Sequence, residues 1–110
     1  MKVDPKQKPA TAPPAPPEPP EYLSESSKEL WRDVIASKNA ETPQRRALLA
    51  VALTAKDRAE EARQLIARDG LISQTKKSGV MHTHPAQKIE RESQTVFVRT
   101  MVALGLRWNN

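Results

Sequence analysis

The chain has 110 residues and a formal net charge of +5, with 18 Lys and Arg against 13 Asp and Glu. It contains no cysteine, which excludes a disulfide framework and a thiolate metal site. No apolar run approaches the roughly 20 residues of a membrane-spanning helix. The three glycines are too far apart for a phosphate-binding loop. We therefore expect a basic, cytosolic, non-enzymatic protein with one small domain.

Residues 1–22 form a proline-rich arm with eight of the ten prolines of the chain. Proline pairs at 13–14, 16–17 and 19–20 remove backbone donors and favour extended polyproline II structure. We expect a flexible arm that is either solvated or ordered on a partner. If that partner is DNA, Lys2, Lys6 and Lys8 are candidate phosphate contacts.

Two helices are predicted between residues 24 and 70. The first begins after Ser24 or Ser26, because Ser26-x-x-Glu29 fits a capping box and Ser24 is a rival cap. Thr42-Pro43 predicts the start of the second helix, and Gly70 its C-cap. At 100° per residue, the predicted inward stripe of the second helix is Leu48, Val51, Ala52, Ala55, Ala59, Ala62 and Ile66. Leu49 and Leu53 form a second apolar side, where the first helix is expected to dock.

The last third of the chain predicts a hairpin or a plain loop, then a third helix. Short β-leaning runs flank a turn over residues 76–79 within the segment 71–83. The third helix follows Pro85 and stops at Gly105, with Leu106 positioned for the apolar contact of a Schellman end. Its predicted inward stripe is Ile89, Ser93, Val96, Thr100, Ala103 and Leu104, with Phe97 at the border. Val98, Met101 and Val102 are expected on the opposite side, and exposed apolar surface of this kind marks an interface.

These elements predict an all-α fold in which a short first helix packs on a long antiparallel helical hairpin. The arm covers residues 1–22, the helical core 23–106 and a tail 107–110. We expect the core to self-associate, because a three-helix monomer of this size cannot cover both sides of its third helix. The candidate oligomer interface consists of Val98, Met101 and Val102 together with Ala55, Ala59 and Ala62.

Among residues that could carry chemistry, the basic ones are the most informative. His82-x-His84 has a metal-like spacing, but no cysteine or nearby carboxylate completes a ligand set, so we expect surface histidines, no metal and no cofactor. No serine and histidine stand in the context of a nucleophile. Beyond the arm, the candidate DNA contacts are Lys38, Arg45, Arg46, Lys76, Lys77, Lys88, Arg91, Arg99, Arg107 and Trp108. Repetition around a symmetric oligomer multiplies their field and favours salt-dependent binding to phosphates.

A series of short motifs in a fixed order adds a resemblance to this interpretation. Leu23-Ser24-x5-Leu30-Trp31-x2-Val34-Ile35 is followed by Glu61-Ala62-x2-Leu65-x4-Gly70-Leu71. Gly79, His84-Pro85-Ala86, Glu90-Arg91-Glu92, Phe97 and Leu104-Gly105-Leu106 then follow. In this order the chain resembles, over residues 20–107, the small terminase subunits of tailed double-stranded DNA bacteriophages.

The resemblance implies a ring-forming adaptor of the viral genome-packaging motor, acting in the host cytoplasm. Such an adaptor recognises viral double-stranded DNA and delivers it to the large terminase subunit, which carries the ATPase and nuclease. A small endonuclease is a further implied partner.

The arm departs from the family pattern, because many small terminases carry a helix-turn-helix domain ahead of the ring core and residues 1–21 cannot form one. The DNA contacts then come from basic residues lining a ring tunnel, or from the two tails ordering on DNA. Two other functions remain open. One is a helical oligomeric scaffold that binds only protein partners, and the other is a dimeric DNA-binding regulator that reads DNA with its first two helices.

Overall fold

The computed structural model describes residues 15–70, 72–74 and 81–106. Its elements are α1 (Glu25–Ala36), α2 (Pro43–Asp69), β1 (Ile72–Gln74), β2 (Met81–Thr83) and α3 (Ala86–Ala103). The two long helices α2 and α3 pack along each other, and the short α1 packs on α2. The predicted all-α architecture is therefore confirmed. Among the described residues, no helix is both long and apolar enough to cross a membrane.

The helix starts follow the capping residues. The Ser24 side chain accepts a hydrogen bond from the backbone N–H of Ser27 at 3.2 Å, so Ser24, rather than Ser26, is the N-cap of α1. Thr42 accepts in the same way from the N–H of Arg45, and Pro43 occupies the first helical position of α2. Each cap satisfies one of the backbone donors that a helix start leaves unpaired.

Two glycines end the long helices with positive φ angles, which cost glycine little because it has no Cβ. Gly70 (φ 85°) closes α2 and Gly105 (φ 82°) follows α3. At the second site the Leu106 N–H donates to the Met101 carbonyl at 3.0 Å and the Gly105 N–H to the Val102 carbonyl at 2.8 Å. This is the predicted Schellman end, and Leu106 packs against the core.

The two short strands form an antiparallel pair between α2 and α3. Their register joins Ile72 to Thr83, Ser73 to His82 and Gln74 to Met81. The pairing confirms the prediction of a hairpin in preference to a plain loop. The predicted turn over residues 76–79 lies outside the described residues.

The core lies where α1 meets the antiparallel pair. Its buried members are Leu23, Trp31, Val34, Ala40, Leu49, Ala52, Leu53, Ala55, Phe97, Met101 and Leu104. The predicted α2 stripe is correct for its alanines but wrong for Leu48 and Val51, which are exposed, while Ile66 is half-buried. The reason is that α1 also packs on α2, and the buried side then includes Leu49 and Leu53.

The predicted inward stripe of α3 is correct for Ser93 and Leu104, which are buried, but wrong for several other members. Phe97 and Met101 are buried, whereas Ile89 and Val96, which were expected to face inward, are exposed. The apolar residues of this helix occupy more than one side, so the periodicity alone does not determine which side faces α2. In the folded chain, the buried side of α3 is the side that carries Phe97 and Met101.

Part of the arm packs on α1. Pro19 is buried, and the Trp31 indole Nε1–H donates to the Pro17 carbonyl at 3.0 Å. Residues 15–18 are exposed, the flexibility of the arm stays a prediction, and residues 1–14 lie outside the described part.

A carboxylate on α2 fixes the start of α1. One oxygen of Asp57 accepts from the hydroxyls of Ser24 and Ser27 at 2.7 and 2.6 Å, and the other accepts from the Ser24 N–H at 2.8 Å. Burial alone would raise the pKa of Asp57, but these hydrogen bonds and the charge of Lys56 outweigh it, so the pKa is lowered.

Candidate nucleic-acid interface

Seven of the predicted DNA contacts lie outside the described residues. They are Lys2, Lys6, Lys8, Lys76, Lys77, Arg107 and Trp108. The described candidates are Lys38, Arg45, Arg46, Lys88, Arg91 and Arg99, and their surroundings differ from one another.

Arg45 and Arg46 hold the chain together at the start of α2. The Arg45 Nε–H donates to the Asn39 carbonyl at 2.6 Å, and its Nη2 donates to the carbonyl of Leu104, at the end of α3. Nη1 of Arg46 donates to the Glu41 carbonyl at 2.9 Å. A guanidinium group at the end of a helix satisfies exposed carbonyls and interacts favourably with the helix dipole. Both arginines are half-buried and have structural roles that the sequence did not indicate.

Arg91 and Arg99 are exposed and lie on the same groove, which has a volume of about 760 Å³. Eight residues separate them, which is about 12 Å along the helix axis. The groove is also lined by Ile66 and Val98, and Thr95 lies between the two arginines in the sequence. Within the described chain, neither arginine has an ion pair. We call this surface the Arg91–Arg99 groove.

Lys88 and Lys38 are exposed outside that groove. The Lys88 Nζ lies 3.8 Å from the Glu92 carboxylate one turn further along, in an exposed pair that contributes little to stability. Lys38 follows the end of α1 with φ 63°. The structure therefore brings together Arg91 and Arg99 on one groove, but it does not bring Lys38 to them.

The residues of the predicted oligomer interface do not share one surface, because some are buried within one copy and others are exposed. Ala55, Ala59 and Ala62 are buried where α2 packs along α3 of the same copy, and Met101 is only 1% exposed. The placement of Met101 on the exposed side is wrong, because it belongs to the core of one copy. Val102 is 61% exposed and agrees with its predicted placement. Val98 is half-buried and packs against the core from the Arg91–Arg99 groove.

A second groove, which the sequence did not indicate, lies on the other side of α3. We call it the Tyr22 groove. It has a volume of about 400 Å³ and is lined by Tyr22, Ala50, Val51, Thr54, Ala55, Arg58, Glu92, Ser93 and Val96. Tyr22 is 68% exposed and Val51 51% exposed. Residues two apart on a helix point about 200° apart, so Val96 and Val98 lie on nearly opposite sides of α3.

The charged groups at the far end of the molecule tie α2 to α3. Arg68 forms two hydrogen bonds with Asp69, at 2.7 and 2.9 Å, and Nε2 of His84 lies 3.0 Å from the same carboxylate. These hydrogen bonds hold the pKa of Asp69 well below its usual range. Nδ1 of His84 accepts from the Ala86 N–H at 3.0 Å, as a capping group for α3. In the described segments, no group of three or more potential ligand side chains has a metal-binding arrangement.

The chain was compared with protein-family models, curated proteins and solved structures. None of the three comparisons finds a match. The resemblance to small terminases therefore stays a prediction from the sequence.

Most of these motif residues have structural roles in the fold. Leu23, Trp31, Val34 and Phe97 are core residues, and Gly70 closes α2. The motif order therefore reflects the helical architecture more directly than it reflects a DNA-contacting surface. Arg91 is the motif residue that lies exposed on a groove with a second unpaired arginine.

Proposed function

We propose that the protein is a small terminase subunit, a ring-forming DNA-binding adaptor that delivers viral DNA to the large terminase subunit in the host cytoplasm. The observation that carries the proposal is the pair of grooves on opposite sides of α3. The resemblance in motif order and the net charge of +5 support it. The large subunit supplies the ATPase and nuclease, and a small endonuclease is a further partner.

The two grooves favour a head-to-tail assembly. The Tyr22 groove exposes Val51 and Val96, and the opposite side of α3 exposes Val102 beside the Arg91–Arg99 groove. The two surfaces differ from each other. A contact between the Tyr22 groove of one copy and the opposite side of α3 in the next copy is therefore heterologous. Repeated heterologous contacts form a closed ring or an open filament, whereas a two-fold dimer joins identical surfaces.

The charges favour a polyanion as the ligand of the assembled protein. Arg91 and Arg99 are exposed, and Glu90, an acidic residue that also lines the groove, pairs with Arg63 at 3.4 Å. A ring repeats these arginines around its axis, and several weak phosphate contacts then act on one duplex. Such contacts hold the duplex, and sequence is read by a few base-edge contacts or by DNA shape.

The assembly is tested by the native mass of the full chain, measured by light scattering at several concentrations. We expect a closed oligomer of more than two copies, and Val51→Glu and Val102→Glu to reduce its mass while the helix content is retained. Ala67→Glu, an exposed alanine on α2 outside both grooves, is the matched control. A monomer or dimer at all concentrations contradicts the ring.

DNA binding is tested by fluorescence anisotropy with a labelled duplex over a series of salt concentrations. We expect the logarithm of the affinity to fall linearly with the logarithm of salt concentration, with a smaller slope after Arg91→Gln and Arg99→Gln. The absence of binding at 50 mM salt contradicts the adaptor function.

One observation favours the scaffold alternative, in which the oligomer binds only protein partners. The donors of Arg45, Arg46, Arg63 and Arg68 are engaged within the chain. The same engagement weighs against a dimeric regulator that reads DNA with the start of α2. A ring that binds no duplex supports the scaffold, and a dimer that binds DNA supports the regulator.

A further inference from the structure

Four polar side chains form one row along α3. Each is four residues from the next, and residues at this spacing are neighbours on the surface of a helix. They are Gln87, Arg91, Thr95 and Arg99, and all of them line the Arg91–Arg99 groove. Gln87 is half-buried, and the other three are exposed. We call these four residues the polar row.

The polar row lies on the side of α3 that faces away from the core. At about 100° per residue, Arg91 and Thr95 lie about 120° and 160° around the helix from the buried Phe97. The side that carries Phe97 packs along α2, and α1 also packs on α2. The described helices therefore leave the row accessible to a second macromolecule over about 18 Å, the axial distance from Gln87 to Arg99.

The side chains of the row keep groups available for a partner. Within the described chain, Arg91 and Arg99 form no ion pair and the Gln87 amide forms no hydrogen bond. The Thr95 hydroxyl donates to the Arg91 carbonyl at 3.0 Å, so its acceptor capacity and its methyl group remain for a contact. The row thus offers two guanidinium groups, one amide and one methyl group.

These residue types are the ones that distinguish bases in the major groove of DNA. An arginine donates two hydrogen bonds to guanine, glutamine pairs with adenine through two hydrogen bonds, and threonine contacts a base edge or the thymine methyl group. Gln94 and Val98 line the groove beside the row and add a second amide and an apolar side chain. A surface that binds only phosphates needs cations, whereas half of the row is uncharged.

We propose that the polar row of α3 enters the major groove of the duplex and contacts base edges. The inference rests on the proposed function, because it takes double-stranded DNA as the ligand and assigns the base-reading contacts to one helix. The major groove is about 12 Å wide and admits an α-helix. The axial length of the row, about 18 Å, corresponds to roughly five base pairs at about 3.4 Å each.

The charges along α3 are compatible with this ligand. Both acidic residues of the helix are paired, Glu90 with Arg63 at 3.4 Å and Glu92 with Lys88 at 3.8 Å. The two arginines of the row therefore give it a net positive charge. Val102 is exposed and lies beyond the row toward the end of α3, so it stays available for the contact between copies.

The first test compares three forms of one duplex in the anisotropy assay with the full chain. One form is unmodified. In the second, every cytosine carries a glucosylated hydroxymethyl group, which projects into the major groove, and in the third, netropsin occupies the minor groove of an A·T tract. We expect the glucosylated duplex to bind at least about tenfold more weakly and the netropsin-bound duplex to bind as the unmodified one does.

The outcomes separate this proposal from the proposed function. Equal affinity for the unmodified and glucosylated duplexes overturns the major-groove contact and leaves the adaptor function standing, because the protein then holds phosphates alone. Weaker binding only with netropsin places the contact in the minor groove and also overturns it. No binding to the unmodified duplex at low salt overturns both.

A second test distinguishes base contacts from charge. Duplexes retained from a random pool are sequenced for the wild type, for Gln87→Ala and for Gln64→Ala, the matched control, which is exposed on α2 outside the groove. Gln87→Ala removes no charge, so we expect its salt slope to be unchanged while the base preference at one or two positions weakens roughly fivefold or more. The control is expected to keep the wild-type preference.

Base contacts by the row are contradicted by either of two results in proteins with wild-type circular dichroism. One is a wild type that retains no preferred sequence. The other is the same preference in Gln87→Ala and Gln64→Ala.

Discussion

Replacement of Asp57 by Asn tests whether one carboxylate fixes the start of α1. The carboxylate accepts three hydrogen bonds, two from hydroxyls at one oxygen and one from the Ser24 N–H at the other. In Asp57→Asn, the remaining amide oxygen can accept from the two serine hydroxyls only if the new NH₂ group takes the place of the other oxygen and faces the Ser24 N–H. Two donors then oppose each other, and a charge-assisted bond is lost.

The expected destabilisation is about 2 kcal/mol. A hydrogen bond to a charged group contributes roughly 1.5–3 kcal/mol, and the half-exposed position of Asp57 favours the lower part of that range. The opposed donors add to this loss. For a domain of this size the change corresponds to a decrease of roughly 10 °C in Tm.

Urea unfolding, followed by the circular dichroism of the helices, measures this loss. Asp33→Asn is the matched control, because Asp33 is exposed on α1 and its carboxylate forms no hydrogen bond or ion pair within the described chain. We expect the control to change the free energy of unfolding by less than about 0.5 kcal/mol. Equal effects of the two substitutions would refute the assigned role of Asp57.

The same variant has a defined pH dependence. Since the folded state lowers the pKa of Asp57, the ionised carboxylate stabilises the protein at pH values above its unfolded pKa of about 3.9. That contribution is lost as the pH falls from there through the folded pKa. The stability difference between wild type and Asp57→Asn therefore narrows below about pH 4. Because Asp69 is common to both proteins, its own titration largely cancels in the difference.

Three further predictions concern the end of α3 and its exposed arginines. Arg45→Gln removes the link between the Asn39 and Leu104 carbonyls and is expected to cost about 1–3 kcal/mol in urea unfolding; no change would contradict the link. Gly105→Ala is expected to lower stability by about 1 kcal/mol through its positive φ alone, since a Cβ there meets no atom within 4 Å. Arg99→Lys retains the charge, so we expect the salt dependence of DNA binding to be preserved; its loss would show that Arg99 acts through guanidinium geometry.

The helix boundaries were predictable because their causes are local. A Thr-Pro start and a glycine end act within one turn of the backbone, and both bounds of α2 agree with the structure. The sequence alone did not show which of the two candidate serines caps α1. Ser24 and Ser26 have similar side chains, and the choice depends on Asp57, which is 33 residues away from Ser24.

The candidate site was predicted only in part, because exposure depends on neighbouring helices. Arg45 and Arg91 are the same residue type on helices, yet one is bonded to backbone carbonyls and the other lies exposed on a groove. For the same reason Val51, which was expected to face inward, is exposed, and Met101, which was expected on the exposed side, is buried. No periodicity in either helix indicates which of several apolar sides a partner helix will cover.

The sequence by itself determined the number and type of the helices and both limits of α2, together with the positive charge and the absence of cysteine. Those properties depend on residues within one turn of each other or on composition. The tertiary structure alone decided which apolar residues are buried, which arginines remain exposed and where residues 15–20 lie. Such outcomes depend on contacts between residues that are distant in the chain. The pattern of residues within one helix does not determine how that helix is rotated about its axis relative to its neighbour.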